Sequence, residues 1–353
     1  MTRIEKIQAE LEKKELDAIV LFSDPNVRYA GQFAFTDGAV AVTRAGAALI
    51  TDSRYVEAAE AEAKDVAVRC VSADKGLYAN LKEVLAGCGR VGAEANFLPH
   101  AAWEKLGKEL GHDLIPADEI VADQRAVKDA AEIEAITAAQ RIAEQAFTEM
   151  LDFIRPGLTE MELAAELTYR MMRRGGQGNS FDPITITGAN TSKPHGVPGK
   201  AVIRTGDFVT LDFGTIINGY HSDMTRTVAV GEATDEMRKV YDTVLKAQLA
   251  GIGLMHAGST GADVHNAAAK VIADAGYGAY FGHGFGHSVG LEIHESPSAN
   301  PRNAEPLPVG AVVTAEPGIY LPGRFGVRIE DMVVIGADGP INLTKAPKEL
   351  IIL

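Results

Sequence analysis

The sequence predicts two domains of different class: a small α/β domain over residues 1–124, and an α+β domain over residues 125–353 built as a pseudo-two-fold internal repeat. Three observations carry this. At 353 residues the chain exceeds what one hydrophobic core usually organises. Its first third alternates short apolar runs with amphipathic segments, the pattern of an α/β sheet. The remainder repeats one motif, GDFVTLDFG from residue 206 and GAVVTAEPG from residue 310, both reading Gly-x-x-Val-Thr-x-acid-x-Gly.

In the first domain, residues 2–15 read as an amphipathic helix with Ile4, Ile7 and Leu11 inward, followed by a buried strand at 18–22. Asp24-Pro25-Asn26 is expected to break the pattern into a loop. Further strands are expected at 40–43, 47–51, 66–71 and 90–94, and helices at 53–64, 76–86 and 98–110, with the domain closing near 121–127. Gly87-x-Gly89 lacks the rest of a dinucleotide fingerprint and reads as a helix stop.

In the second domain, residues 129–154 form a long amphipathic helix with Ile133, Ile136, Ala139, Ala143, Phe147 and Met150 on its apolar face. Arg155-Pro156-Gly157 stops it. Thr159 and Glu162 have capping-box spacing and start a second helix running to about Arg174. A loop at 175–179 and a strand at 184–187 lead into the first copy of the motif. The order then recurs: helix 234–256, a glycine-rich break, helix 260–275, a glycine- and histidine-rich segment at 282–295, and the second copy.

Each copy reads as a hairpin. Asn218-Gly219 suits a two-residue turn in which both positions have φ > 0. A turn centred there sets Asp212 opposite Thr225 and leaves Asp223 as a diagonal neighbour on the same face. In the second copy Glu316 and Glu330 are symmetric about Gly323, across an expected five-residue loop from Leu321 to Phe325. Four carboxylates brought together in sheet interiors would repel one another and lose hydration, and divalent cations would relieve both costs.

Composition narrows the function. A formal charge of −14 argues against nucleic acid or an anionic membrane as partner. Residues 1–16 are charged throughout, without the apolar stretch of a signal peptide, and no run approaches a membrane span, so a cytoplasmic protein is expected. Cys70 and Cys88 have no metal-type spacing and read as reduced, mostly buried thiols. Of nine histidines, His195, His283, His287 and His294 fall in segments leading into or between the hairpins. One imidazole with four carboxylates makes a mixed nitrogen and oxygen shell suited to Mn²⁺, Fe²⁺, Co²⁺ or Zn²⁺.

The segments PHGVP, LDFG, SDMTRT, GHGFGHSVGLEIHE, TAEPGIY and GVRIED, spread over the second domain, resemble the pita-bread metallopeptidases: methionine aminopeptidase, aminopeptidase P and prolidase. NVRYAGQF and LITDSRYVEAA resemble the N-terminal domain of the proline-specific branch. The resemblance implies a creatinase/prolidase-type domain over 1–124 and a pita-bread catalytic domain over 125–353. It implies Asp212, Asp223, His287, Glu316 and Glu330 as ligands of two divalent metal ions, Mn²⁺ first among them, with Asp223 and Glu330 bridging. It further implies Glu316 as the group that takes the attacking water's proton, His195 and His294 as substrate and oxyanion contacts, and His283 as a further contact of the same kind. Arg328 would orient an acidic ligand, with Tyr320 nearby. The partners implied are peptides with proline in second position, and a second copy of the chain in a homodimer.

The separate N-terminal domain and Arg328-x-Glu330 favour the proline-specific branch over methionine aminopeptidase. Within that branch, Ser298 stands where dipeptide-cutting members resemble one another in carrying an arginine, and Arg302 comes four residues later. An aminopeptidase removing the first residue of Xaa-Pro peptides is therefore expected ahead of an Xaa-Pro dipeptidase. A creatinase-like hydrolase without metal, or a binding module, is disfavoured because all five ligand positions carry the required residues.

Overall fold

A capping box opens the chain. The Thr2 hydroxyl accepts from the Glu5 amide and the Glu5 carboxylate accepts from the Thr2 amide, which starts helix α1 (Arg3–Lys13) with two otherwise orphaned donors satisfied. Ile4, Ile7 and Leu11 are buried, as their spacing predicts. The computed structural model describes residues 1–353, and the chain separates into two units, Met1–Arg125 and Ala126–Leu353.

The first unit continues with β1 (Ala18–Leu21), α2 (Asp24–Gly31), β2 (Gly38–Thr43), β3 (Gly46–Thr51), α3 (Val56–Glu62), β4 (Ala67–Cys70), α4 (Leu77–Val84), β5 (Val91–Ala93), α5 (His100–Leu110), β6 (Ile115–Pro116) and α6 (Glu119–Ala126). Its six-stranded mixed sheet has the order β4-β3-β2-β1-β5-β6, and Val20, Ile50, Leu81 and Val91 share its core. Two expectations fail here. Asp24-Pro25-Asn26 is the first turn of α2, not a loop: proline is tolerated there because its missing amide would have no intrahelical partner. The buried Glu94 carboxylate holds that helix start, accepting from the Ser23 amide at 3.0 Å and from Asn26 Nδ2 at 2.7 Å. Cys70 is exposed rather than buried, because it ends the edge strand β4; Cys88 is half-buried, and neither is bridged.

The second unit runs α7 (Ala130–Phe153), α8 (Glu160–Arg173), β7 (Ile184–Thr187), β8 (Phe208–Phe213), β9 (Ile216–Ile217), β10 (Tyr220–His221), β11 (Met224–Ala229), α9 (Asp235–Ile252), α10 (Gly261–Asp274), β12 (Gly286–Ser288), β13 (Glu295–Ala299), β14 (Val312–Ala315), β15 (Gly318–Leu321), β16 (Phe325–Arg328), β17 (Asp331–Val334) and β18 (Ile341–Asn342). Thr159 caps α8 and Thr260 caps α10, each with a reciprocal acid three residues on. One sheet is β11-β8-β7; the other, β13-β12-β14-β17-β18, contains β17-β14-β12 as its counterpart. Phe147, Leu163 and Leu167 of the first helix pair pack on Val209, Leu211 and Val228. Val240, Val244 and Ile272 of the second pair pack on Val313 and Val333. Each half thus buries its own sheet face under its own helices, the pita-bread architecture with its internal repeat.

Both hairpin registers follow from turn chemistry. Asn218 and Gly219 have φ of 50° and 79°, and Tyr220 pairs with Ile217. The register continues inward to Thr225 opposite Asp212. In the second hairpin Leu321 pairs with Phe325 and Gly318 with Arg328, so the loop is three residues, Pro322 to Arg324, instead of the expected five. Gly323, at φ 72°, supplies the left-handed residue that lets so short a loop close.

Candidate metal centre

Strand ends deliver the acids. Asp212 is the penultimate residue of β8, and Asp223 directly precedes β11. Glu316 follows β14, and Glu330 lies between β16 and β17. His287 is the middle residue of β12, which approaches β14 so closely at Gly286 that any Cβ there would strike the Thr314 carbonyl. These five residues, with His195, His283, His294, Arg328 and Tyr320, line one cavity of about 450 Å³. Ligand atoms of Asp223, His287 and Glu330 all lie within 4.8 Å of one another. His287 Nε2 is 3.6 Å from Asp223 Oδ2 and 3.4 Å from Glu316 Oε1. Asp212 and Glu316 stand outside the tight trio, and Arg328 Nη2 holds Asp212 Oδ2 at 2.5 Å.

Arg328 organises this wall. Besides Asp212, its guanidinium donates to the Tyr320 hydroxyl at 2.9 Å, to Thr225 Oγ1 at 3.1 Å and to the carbonyl of Pro194, the residue before His195, at 3.3 Å. Tyr320 in turn meets His283 Nε2 at 2.9 Å. Two threonines complete the set, and sequence reasoning gave them no role. Thr225 Oγ1 donates to Glu330 Oε2 at 2.7 Å. Thr314 Oγ1 donates to Glu316 Oε1 at 3.1 Å and accepts from the His287 amide at 3.0 Å. The signal for Thr314 was present in the Val-Thr-x-acid motif, since residues two apart on a strand share a face. In the first copy the equivalent Thr210 instead meets Thr227, at 3.3 Å.

Burial sets the electrostatics. It raises the carboxyls of Asp223 and Glu330 well above the usual range, and the neighbouring acids raise them further. Glu316 is pushed up to about 7, again chiefly by burial, with Asp212 adding to it and Arg328 opposing it. Burial lowers the imidazoles of His287 and His294, and brings His283 down to about 4, so all three favour the neutral form. Asp223 Oδ1 is buried without a hydrogen-bond donor. A buried oxygen without a donor, beside a neutral imidazole and a second carboxylate, is the donor chemistry a divalent cation satisfies, and these residues fit one.

The chain belongs to metallopeptidase family M24, whose sequence profile matches residues 134–337, and the profile of the creatinase/prolidase N-terminal domain matches residues 3–127. It is a peptidase. Among its relatives, an Xaa-Pro dipeptidase of Pyrococcus horikoshii is 34% identical over 99% of this chain and 98% of its own. Among solved structures, an Xaa-Pro dipeptidase from Bacillus anthracis is 39% identical with a TM-score of 0.96, each chain covered to 99%. An X-Pro aminopeptidase from Thermotoga maritima is 35% identical with a TM-score of 0.92, covering 98% of this chain and 100% of the other.

Proposed function

We propose that this protein hydrolyses the bond between the first residue and proline in Xaa-Pro dipeptides, with two divalent metal ions held by Asp212, Asp223, His287, Glu316 and Glu330. The observation that carries the reading is the meeting of Asp223, His287 and Glu330 within 4.8 Å, in a cavity that Asp212 and Glu316 also line. Mn²⁺ is the first choice, and Co²⁺, Zn²⁺ and Fe²⁺ suit the same shell. Bound there, such ions supply Lewis acidity to the scissile carbonyl and to the attacking water.

The remaining work falls to the chain. Glu316 lines the cavity 3.4 Å from His287 Nε2, where its carboxylate can take the attacking water's proton, and Thr314 fixes its orientation. Neutral His294, together with His195, can donate to the oxygen on which negative charge develops. Neutral His283 donates from Nδ1 to the Gly284 carbonyl at 2.8 Å and accepts at Nε2 from the Tyr320 hydroxyl, so it anchors Tyr320 in the wall, and Arg328 keeps Asp212 aimed. Phe181, Ile184 and Ile293 give the cavity an apolar wall suited to a proline ring.

The preference for an aminopeptidase drawn from Ser298 is set aside, because both the P. horikoshii relative and the B. anthracis structure carry the dipeptidase name. One observation keeps the longer-peptide reading as second. Arg328 is the only arginine or lysine lining the cavity and is committed to Asp212, while Arg302 is exposed and outside the lining. A length series decides: with added Mn²⁺, kcat/KM should be higher for Xaa-Pro than for Xaa-Pro-Yaa, and the reverse order would establish the aminopeptidase. A cytoplasmic homodimer completes the proposal. Family resemblance supports the dimer, and two unbridged cysteines suit a reducing compartment.

A further inference from the structure

We propose that the buried ion pair between Lys128 and Glu295 is a positioning device, setting His287 and His294 against the cavity from behind the strands that carry them. This rests on the reading of His287 as a metal ligand and His294 as a substrate contact. Lys128 Nζ lies 2.9 Å from Glu295 Oε2 and 3.3 Å from Ser288 Oγ, and the two charged side chains are 1% and 5% exposed. Ser288 and Glu295 are cross-strand partners in β12 and β13, and each directly follows one of the two histidines. Side chains alternate across a strand, so the ion pair takes one face and the histidines take the other. There the rings of His287 and His294 meet edge to face, centroids 4.3 Å apart, in the cavity wall. Lys128, Ser288 and Glu295 do not line that cavity.

The segment between the two histidines is built around the carboxylate. Glu295 Oε1 accepts from the Glu292 amide at 3.2 Å, and Ser288 Oγ donates onward to the Val312 carbonyl at 2.8 Å. A Cβ at Gly290 would come within 2.5 Å of Glu295 Oε2, so glycine lets the chain cross over the carboxylate. The β12–β13 register shifts between His287 and Ser288, and the pairing is short. One ammonium bonded to both strands fixes that register. A buried ion pair adds little stability over apolar residues of similar volume, whereas fixing register is its best attested use.

The test removes both charges together, in Lys128→Met/Glu295→Leu. The double variant should fold with an unfolding midpoint near the parent's. Its kcat on an Xaa-Pro dipeptide should fall by about tenfold or more with a much smaller change in KM, because reacting groups are displaced while the binding walls stay. In metal-depleted protein the imidazole resonances of His287 and His294 should move, and Mn²⁺ affinity measured by calorimetry should fall. Lys128→Arg, which keeps the pair, should retain most of both properties. Parental imidazole resonances and parental Mn²⁺ affinity in the double variant would overturn the proposal. So would loss of the fold, since a pair kept for geometry leaves its apolar replacement folded. Failure of the peptidase reading would look different: the parent itself would cleave no Xaa-Pro dipeptide, while metal affinity and imidazole resonances still reported on the pair.

Discussion

The Thr225 hydroxyl donates to Glu330 Oε2 at 2.7 Å, joining the first acid-bearing hairpin to the second across 105 residues of sequence. The backbones meet at the same place, where the Glu330 amide donates to the Thr225 carbonyl at 3.1 Å. Thr225 also accepts from Arg328 Nε, so one hydroxyl aims a carboxylate and steadies the arginine that holds Asp212. Thr225→Val keeps the volume and removes the hydroxyl. It should cost about 1–3 kcal/mol of stability through the groups left unpaired. Metal affinity should fall by about 10–100-fold, the usual effect of deleting a group that orients a ligand. Calorimetric titration of metal-depleted variant protein checks this, and parental affinity would deny the hydroxyl that role.

Removing metal should make stability rise as pH falls. The Asp223, Glu316 and Glu330 carboxyls are raised above their ordinary values by burial and by one another. Each therefore binds its proton more tightly folded than unfolded. That stabilisation is complete below the unfolded pKa and is lost as pH climbs through the folded one, for Glu316 between 4.5 and about 7. Metal-depleted protein should accordingly melt at a higher temperature at pH about 6 than at pH about 8, and metal binding near neutrality should release protons. Thermal scans at both pH values, and titrations in buffers of different ionisation enthalpy, measure the two effects. Asp223→Ala should flatten the pH dependence and abolish both metal binding and hydrolysis while the chain stays folded.

Local rules made the hairpins legible in the sequence. Asn218-Gly219 and Gly323 fixed the turns, strand alternation fixed the faces, and Asp212, Asp223, Glu316 and Glu330 followed. Contacts between distant segments were not legible. The helix beginning at Asp24 depends on Glu94, some 70 positions away, so Pro25 read as a breaker. Lys128 and Glu295 lie 167 positions apart and share no local pattern. Thr225 was placed opposite Asp212, yet its hydroxyl serves Glu330, because the second hairpin lies directly against β11, a contact between segments about 100 positions apart that no local pattern encodes. The loop from Pro322 to Arg324 came out shorter than expected because symmetry about Gly323 fixes a register but not where the pairing stops.

Arg328 provides the sharpest test of how the cavity wall is held. Four of its N–H donors reach four different acceptors: Asp212, Tyr320, Thr225 and the Pro194 carbonyl. A lysine ammonium carries the same charge at a single point and cannot span that fan of acceptors. Arg328→Lys should therefore preserve the local charge and lose the geometry, freeing Asp212 from its fixed orientation and the segment before His195 from its tether. The expected result is a fall in kcat/KM on an Xaa-Pro dipeptide of about 10–100-fold at saturating Mn²⁺, the range typical when a group that orients a ligand is lost. The fall should be no smaller in Arg328→Met, which removes the charge as well. If Arg328→Lys kept parental kcat/KM while Arg328→Met lost it, charge alone would be what the site requires of Arg328, and the fork of hydrogen bonds would be incidental.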